Sequence, residues 1–196
     1  MQILSGFQTL STYICYEENT IINPSIYKDM LSEKMYNILN EQVSKEAYAS
    51  QLYLAMASWA EARGLEGISQ WFYAQSEEER EHMLKFIHFI NERGGHATVP
   101  KIELPPKDFP GVREAFDASL EHEQMVSEAI NDIVALSLEE RDFATNNWIQ
   151  WFVEEQMEEE ASVQSIIDKL ELLGDRNLYI FDRDIMAMRA AGESKE

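Results

Sequence analysis

Ala74-Gln-Ser-Glu-Glu-Glu-Arg-Glu-His82 is the stretch that decides how this chain is read. It lies within a longer stripe of Ile68, Phe72, Gln75, Glu79, His82, Phe86 and Phe89, whose spacings alternate four and three. On an α-helix these seven side chains share one face. Glu79 and His82 therefore stand where leucines are expected. Burying an unpaired carboxylate is too costly to be incidental. The pattern calls for a partner to Glu79 and His82, and a metal ion is the leading candidate.

Similar stripes flank this one. A first helix is expected from about Glu33 to Arg63, with Ser32 as N-cap and Gly64 as the stop. Its stripe is Met35, Leu39, Gln42, Glu46, Ala49, Tyr53 and Met56. The second runs from about Leu65 to Arg93 and stops at Gly94-Gly95, and the short link through Gly64 makes the two antiparallel neighbours. A third, from about Val112 to Leu136, carries Phe116, Ser119, Glu123, Val126, Ile130 and Ile133. Ser137-Leu-Glu-Glu140 has the spacing of a capping box for a fourth helix that ends at Gly174. The fourth stripe is Ile149, Phe152, Gln156, Glu159, Val163, Ile166, Leu170 and Leu173. A shorter fifth helix is expected over about Leu178 to Ala190, with Ile180, Ile185 and Met188 as apolar points.

Between the second and third helices, residues 94–111 hold Pro100, Pro105, Pro106 and Pro110, four of the five prolines. A long structureless connection in a compact domain needs a reason. A helix of about 30 residues is ~45 Å long, and about 18 extended residues reach ~60 Å. The segment can run the length of a bundle, so the third helix starts at the opposite end. The fold class is all-α: a four-helix bundle with one long crossover and a short fifth C-terminal helix.

Composition narrows the function. The 196 residues carry a formal net charge of −20 and no cluster of Lys or Arg, which disfavours nucleic acid as a partner. No apolar run approaches the ~20 residues that span a bilayer, so no membrane partner is expected. Cys15 stands alone, which excludes an internal disulfide and fits a reducing, cytoplasmic setting. Residues 1–29 show no helical stripe and no basic n-region. They read as an N-terminal extension, either misassigned upstream translation or a poorly ordered arm, ahead of a domain over 30–196.

Each long helix is interrupted near its midpoint: Glu46 on the first, Glu79 and His82 on the second, Glu123 on the third, Gln156 and Glu159 on the fourth. Midpoints of aligned helices lie at one level. Four bare carboxylates there would repel one another and mostly protonate, whereas two divalent cations would neutralise them. A single residue of this kind is best read as a satisfied core polar group; four on four helices favour a metal site. One Glu-x-x-His half is intact (Glu79, His82), and the other is altered to Gln156-x-x-Glu159.

From about Met30 to Ala190 the chain resembles the bacterial non-haem ferritins. The matching stretches are Asn40-Glu-Gln, Glu46-Ala-Tyr-Ala-Ser-Gln-Leu-Tyr53, Ala74 to His82, His122-Glu-Gln124, Gln150-Trp-Phe-Val-Glu-Glu-Gln-Met-Glu-Glu-Glu160 and Ile166-Ile-Asp-Lys-Leu170. The resemblance implies a ferritin-like bundle that stores iron and oxidises Fe²⁺ with O₂ or peroxide. Glu46 and His82 would hold the first iron, Glu79 would bridge to the second, and Glu123 with Gln156 would take the second. Glu78, Glu155, Glu158 and Glu159 match the residues of a third, inner iron site. Tyr53 and Trp151 match the aromatic neighbours of the centre, and Tyr53 also reads as core packing. The resemblance further implies a homo-oligomeric shell of twenty-four subunits filled with ferric mineral.

Three other readings compete. Haem-containing bacterioferritins place Met directly after the bridging Glu and a second E-x-x-H on the fourth helix; here Arg80 and Gln156-x-x-Glu159 stand instead, so no haem is expected. DNA-protecting miniferritins build their site between subunits and often carry basic tails, unlike this acidic chain. A purely structural bundle would lack one or more of the carboxylates. Glu77, Glu160, His88 and His96 are expected at the surface, His122 at the surface or an interface, and the nine Met residues as core filler.

Overall fold

The structure, a computed structural model, describes residues 30–174 and 177–193. The expectation for the N-terminal extension lies outside the described residues. Five helices are present: α1 Glu33–Glu61, α2 Glu66–Glu92, α3 Val112–Glu140, α4 Phe143–Leu173 and α5 Leu178–Glu193. The described residues contain no strand. The fold is the expected all-α, ferritin-like bundle, with α1 packed on α2, α3 on α4, α1 on α3, and α5 laid against α2.

Local chemistry sets most boundaries. Ser32 caps α1, accepting from the Met35 N–H at 3.0 Å. Gly64 and Gly94 lie at φ 72° and 82°, in the left-handed turns that follow α1 and α2. One boundary differs from the sequence reading. α3 runs through Ser137 to Glu140, and Asp142 caps α4 by accepting from the Thr145 N–H at 3.1 Å. The buried Ser137 hydroxyl instead donates to the Val134 carbonyl and accepts from Asn146 Nδ2. Asp142 is also gripped by Arg93, whose Nη2 lies 3.1 Å from both carboxylate oxygens. A charged cap with a cation behind it outcompetes a neutral hydroxyl five residues earlier.

The crossover runs the length of the bundle. It starts beside the N-terminal half of α1, where Tyr36 donates to the His96 carbonyl and Asn40 accepts from the Thr98 N–H. It finishes beside the C-terminal end of α1, where Phe109 meets the Trp59 ring edge-on at 5.5 Å. The apolar interior accordingly falls into two clusters. One holds Tyr53, Met56, Ile68, Phe72, Phe116, Val163, Phe181 and Ile185; the other holds Met35, Leu39, Phe86, Ile90, Val126, Ile130, Ile149 and Phe152. Of the apolar points expected on α5, Ile185 is buried and Ile180 is exposed.

α5 is fastened to the start of α2. Asp182 accepts from the Ile68 N–H at 2.9 Å. A Cβ at Gly67 would sit 1.7 Å from the Asp182 carbonyl oxygen. Only glycine leaves room for so close an approach of the two helices.

Candidate metal centre

Between the two apolar clusters lies a layer of buried polar side chains drawn from all four long helices. α1 supplies Gln42, Glu46 and Tyr53; α2 supplies Gln75, Glu79 and His82; α3 supplies Ser119 and Glu123; α4 supplies Gln156 and Glu159. Their positions follow from the stripes: each occupies a core-facing turn of its helix. Register between α1 and α2 is fixed beside this layer by a reciprocal pair, in which the Ser50 and Ser76 hydroxyls each donate to the other residue's carbonyl at 2.7 Å.

Glu46, Glu79 and His82 present ligand atoms that all lie within 4.8 Å of one another. The neighbouring carboxylates are held by neutral donors. Gln42 Nε2 donates to Glu46 Oε1 at 2.7 Å, and Gln75 Nε2 to Glu159 Oε2 at 2.8 Å. Glu123 accepts from the Tyr53 hydroxyl on Oε1 and from Gln156 Nε2 on Oε2. Glu79 is different: no neutral donor reaches either of its oxygens, and the group within hydrogen-bond reach of it is another carboxyl, Glu46. Facing it, Glu46 Oε2 and His82 Nδ1 lack outside donors too. Buried polar atoms are almost always satisfied, so four unpaired acceptor-capable atoms turned toward one spot mark a place for a cation.

The electrostatics agree. Burial pushes the Glu79 carboxyl well above the usual carboxylate range, and Glu123, Glu46 and Glu159 add to the effect. Glu159 is raised in the same way, by burial and then by Glu123, Glu78 and Glu155. Burial also raises Glu46. Glu123 is pushed up to about 7 by burial, although the bonds from Tyr53 and Gln156 pull it down. His82 is lowered to about 3 by burial and by Lys85, which keeps the imidazole neutral with a lone pair to offer. Tyr53 is raised well above 10, chiefly by burial and then by Glu123, so its hydroxyl stays a donor.

A second group lies alongside. Ligand atoms of Glu78, Glu155 and Glu159 also fall within 4.8 Å of one another. Glu158 is not among them; it is exposed and lines an acidic cleft with Glu78, Glu81, Glu154 and Glu155. That cleft reaches His82 and Trp151. The Trp151 ring meets His82 edge-on at 5.5 Å, and Lys85 Nζ lies 3.4 Å from its centroid.

Two surface expectations are corrected. His122 is buried against Tyr48, with ring centroids 5.7 Å apart, because α3 packs on α1 at its flank. Glu160 is half-buried and accepts a bond from the Ser127 hydroxyl on α3. His88, His96 and Glu77 are exposed as expected. Sequence reasoning gave no role to Gln42 and Gln75, though both stand as polar interruptions one turn from Glu46 and Glu79. It also missed Arg189 on α5, which reaches Glu78 at 2.6 Å. The signal was weak: Phe181, Ile185 and Arg189 follow one another at spacings of four.

The donor set is oxygen-rich with one imidazole, which suits iron-type divalent ions over copper or structural zinc. Fold and site together define a class: a ferritin-like bundle with a carboxylate-lined centre at mid-height. Residues 36–173 match the family model described as "Ferritin-like domain". A Haemophilus influenzae protein named "Probable bacterial non-heme ferritin-like protein" is 38% identical over 158 residues, covering 80% of this chain and 96% of the relative. A "Bacterial non-heme ferritin" of Campylobacter jejuni is 38% identical over 158 residues, covering 80% and 95%. The structure of an open pore ferritin from Archaeoglobus fulgidus superposes with a TM-score of 0.78 at 40% identity, covering 80% of this chain and 97% of that one. This chain belongs to the bacterial non-haem ferritin family.

Proposed function

We propose that this chain is an iron-storage subunit that oxidises Fe²⁺ at a paired site in mid-bundle and passes Fe³⁺ to a mineral inside a homo-oligomeric shell. The observation that carries this reading is that the Glu79 oxygens, Glu46 Oε2 and His82 Nδ1 converge with no donor from outside the group reaching them. A carboxylate with two free oxygens between neighbouring ligand groups is suited to bridge a pair of ions. Glu46 and His82 would take one Fe²⁺, and Glu123 with Gln156 the other.

Each Fe²⁺ gives up one electron. With O₂ as oxidant, two electrons and two protons leave as H₂O₂; with H₂O₂ as oxidant, they leave as two waters. Gln42 and Gln75 orient Glu46 and Glu159 through single bonds, while Tyr53 holds Glu123. Tyr53 would also supply an electron, as would Trp151, whose ring contacts His82. Glu78 and Glu155 line the acidic cleft and converge with Glu159, and the three would take a third ion, with Glu158 at the rim. Assembly into a shell of twenty-four subunits is the expectation that membership of the ferritin family carries. Arg80 after the bridging Glu and Gln156-x-x-Glu159 support a haem-free protein. A cytoplasmic site of action is supported by the lone cysteine, Cys15, and no described helix is long and apolar enough to cross a membrane.

The test is aerobic addition of Fe²⁺ to the purified protein, with ferric absorbance and particle mass followed together. Wild type should oxidise iron rapidly and gain mass in a large assembly. The double variant Glu79→Ala, His82→Ala should assemble but lose the fast phase. Equal rates in the two proteins would sink the reading.

A further inference from the structure

The inner carboxylate group already contains a cation of the protein's own. Arg189 Nη2 donates to Glu78 Oε2 at 2.6 Å. Its Nη1 donates to the Gln75 side-chain oxygen Oε1, and Gln75 in turn donates through Nε2 to Glu159 Oε2. One guanidinium thus reaches Glu78 directly and Glu159 through a single amide. These are two of the three residues whose ligand atoms converge there. Arg189 is itself half-buried, so the bonds are shielded more than those of a surface pair. The arginine comes from α5, whose place is fixed one and two turns earlier by buried Ile185 and Phe181 and by the Asp182 bond to Ile68.

We propose that Arg189 is a built-in counter-ion that competes with iron for the inner carboxylate group, so that filling this group displaces the last turns of α5. This rests on the storage reading, since it takes the inner group to be an iron site. A divalent ion and the guanidinium both need Glu78, and the two positive charges repel at this distance. Iron therefore binds there only when Arg189 withdraws. The inner group is weakened as a resting site, which favours onward passage of the ion. Gln75 acts as the link: its side-chain oxygen is committed to Arg189 and its side-chain nitrogen to Glu159, so loss of the arginine frees Gln75 to turn. Arg189 is a positioning residue in this scheme and touches no substrate.

The experiment uses the assembled full chain under anaerobic conditions, with Fe²⁺ alone as the probe. Calorimetric titration resolves the paired site from the third equivalent in wild type, Arg189→Gln and Arg189→Lys. A lost charge-assisted bond corresponds to about tenfold in affinity. Arg189→Gln should tighten the third equivalent by about that factor relative to the first two. Arg189→Lys keeps the charge without the fork and should fall between the two proteins. In wild type, amide exchange at residues 185–189 should rise when the third equivalent binds and not when the first two do. An unchanged affinity ratio in both variants, or exchange in α5 indifferent to Fe²⁺, overturns the proposal. Failure of wild type to bind the first pair would instead remove the storage reading, and this inference with it.

Discussion

Nδ1 of His82 lies 3.4 Å from Oε2 of Glu79, and neither atom has a hydrogen-bond partner. The imidazole is held neutral, so no ion pair forms between them. A buried imidazole and carboxyl group left facing each other without a well-formed hydrogen bond are unfavourable in a protein core. A bound cation would turn this cost into a gain, and the energetics of the centre should therefore depend strongly on pH and on metal.

Metal-free protein should lose stability as pH rises above 6.5. Glu123 has its folded pKa raised to about 7, and Glu46, Glu79 and Glu159 are raised as well. A group raised on folding contributes stability at low pH that is lost as pH climbs through its folded value. His82 and His122, lowered to about 3 and about 4, act in the opposite sense, and only below their ordinary 6.5. Above 6.5 the carboxylates are unopposed. Thermal melts in chelator should show Tm falling through neutral pH; a flat or rising Tm across that range would contradict the assignment.

Glu79→Gln should separate stability from function. The amide keeps the volume and removes the charge, so metal-free protein should gain about 1–2 kcal/mol at neutral pH. Wild type should gain about 2.7 kcal/mol at a hundredfold excess of divalent ion over Kd, and the variant much less. Denaturant unfolding with and without Fe²⁺ under argon measures both. A variant still stabilised by metal as strongly as wild type would rule out Glu79 as the bridge.

Gln156→His should bind the second ion more tightly and release product more slowly. Gln156 Nε2 now donates to the Glu123 main-chain carbonyl and to its Oε2, each at 3.2 Å, and an amide is a weaker ligand than imidazole. Fe²⁺ titration should show the tighter site, and repeated additions of iron should show slower regeneration of the fast phase. Unchanged turnover would remove any link between Gln156 and the release of iron.

Gly67→Ala should detach α5 while leaving α1 to α4 folded. The added methyl would meet the Asp182 carbonyl at 1.7 Å, which requires backbone movement. The four long helices bury their stripes without α5, apart from its Phe181 and Ile185 contacts. Hydrogen exchange should rise sharply over residues 178–189 and little in 33–61 or 112–140. Protection of α5 equal to wild type would show that the helices can shift apart cheaply.

Much of the site could be read from the chain because helical periodicity is local. Four-three spacing places Glu46, Glu79, His82, Glu123, Gln156 and Glu159 on core-facing stripes wherever the helices go, and all six are buried. The crossover was legible for a similar reason, since its proline-rich length matches the distance it must span. The end of α3 was not, because Ser137 and Asp142 offer comparable local caps. The choice between them rests on Arg93, 49 residues before Asp142.

What the sequence determined by itself was the class of fold and the identity of the polar layer, since both depend on which faces of each helix are apolar. What only the tertiary structure decided was how those side chains pair: Glu79 left without a donor, His122 covered by Tyr48, and Arg189 brought to Glu78 across 111 residues. Hydrogen bonds and ion pairs act over a few ångströms. They are fixed by the packing of distant segments, which no spacing along the chain records.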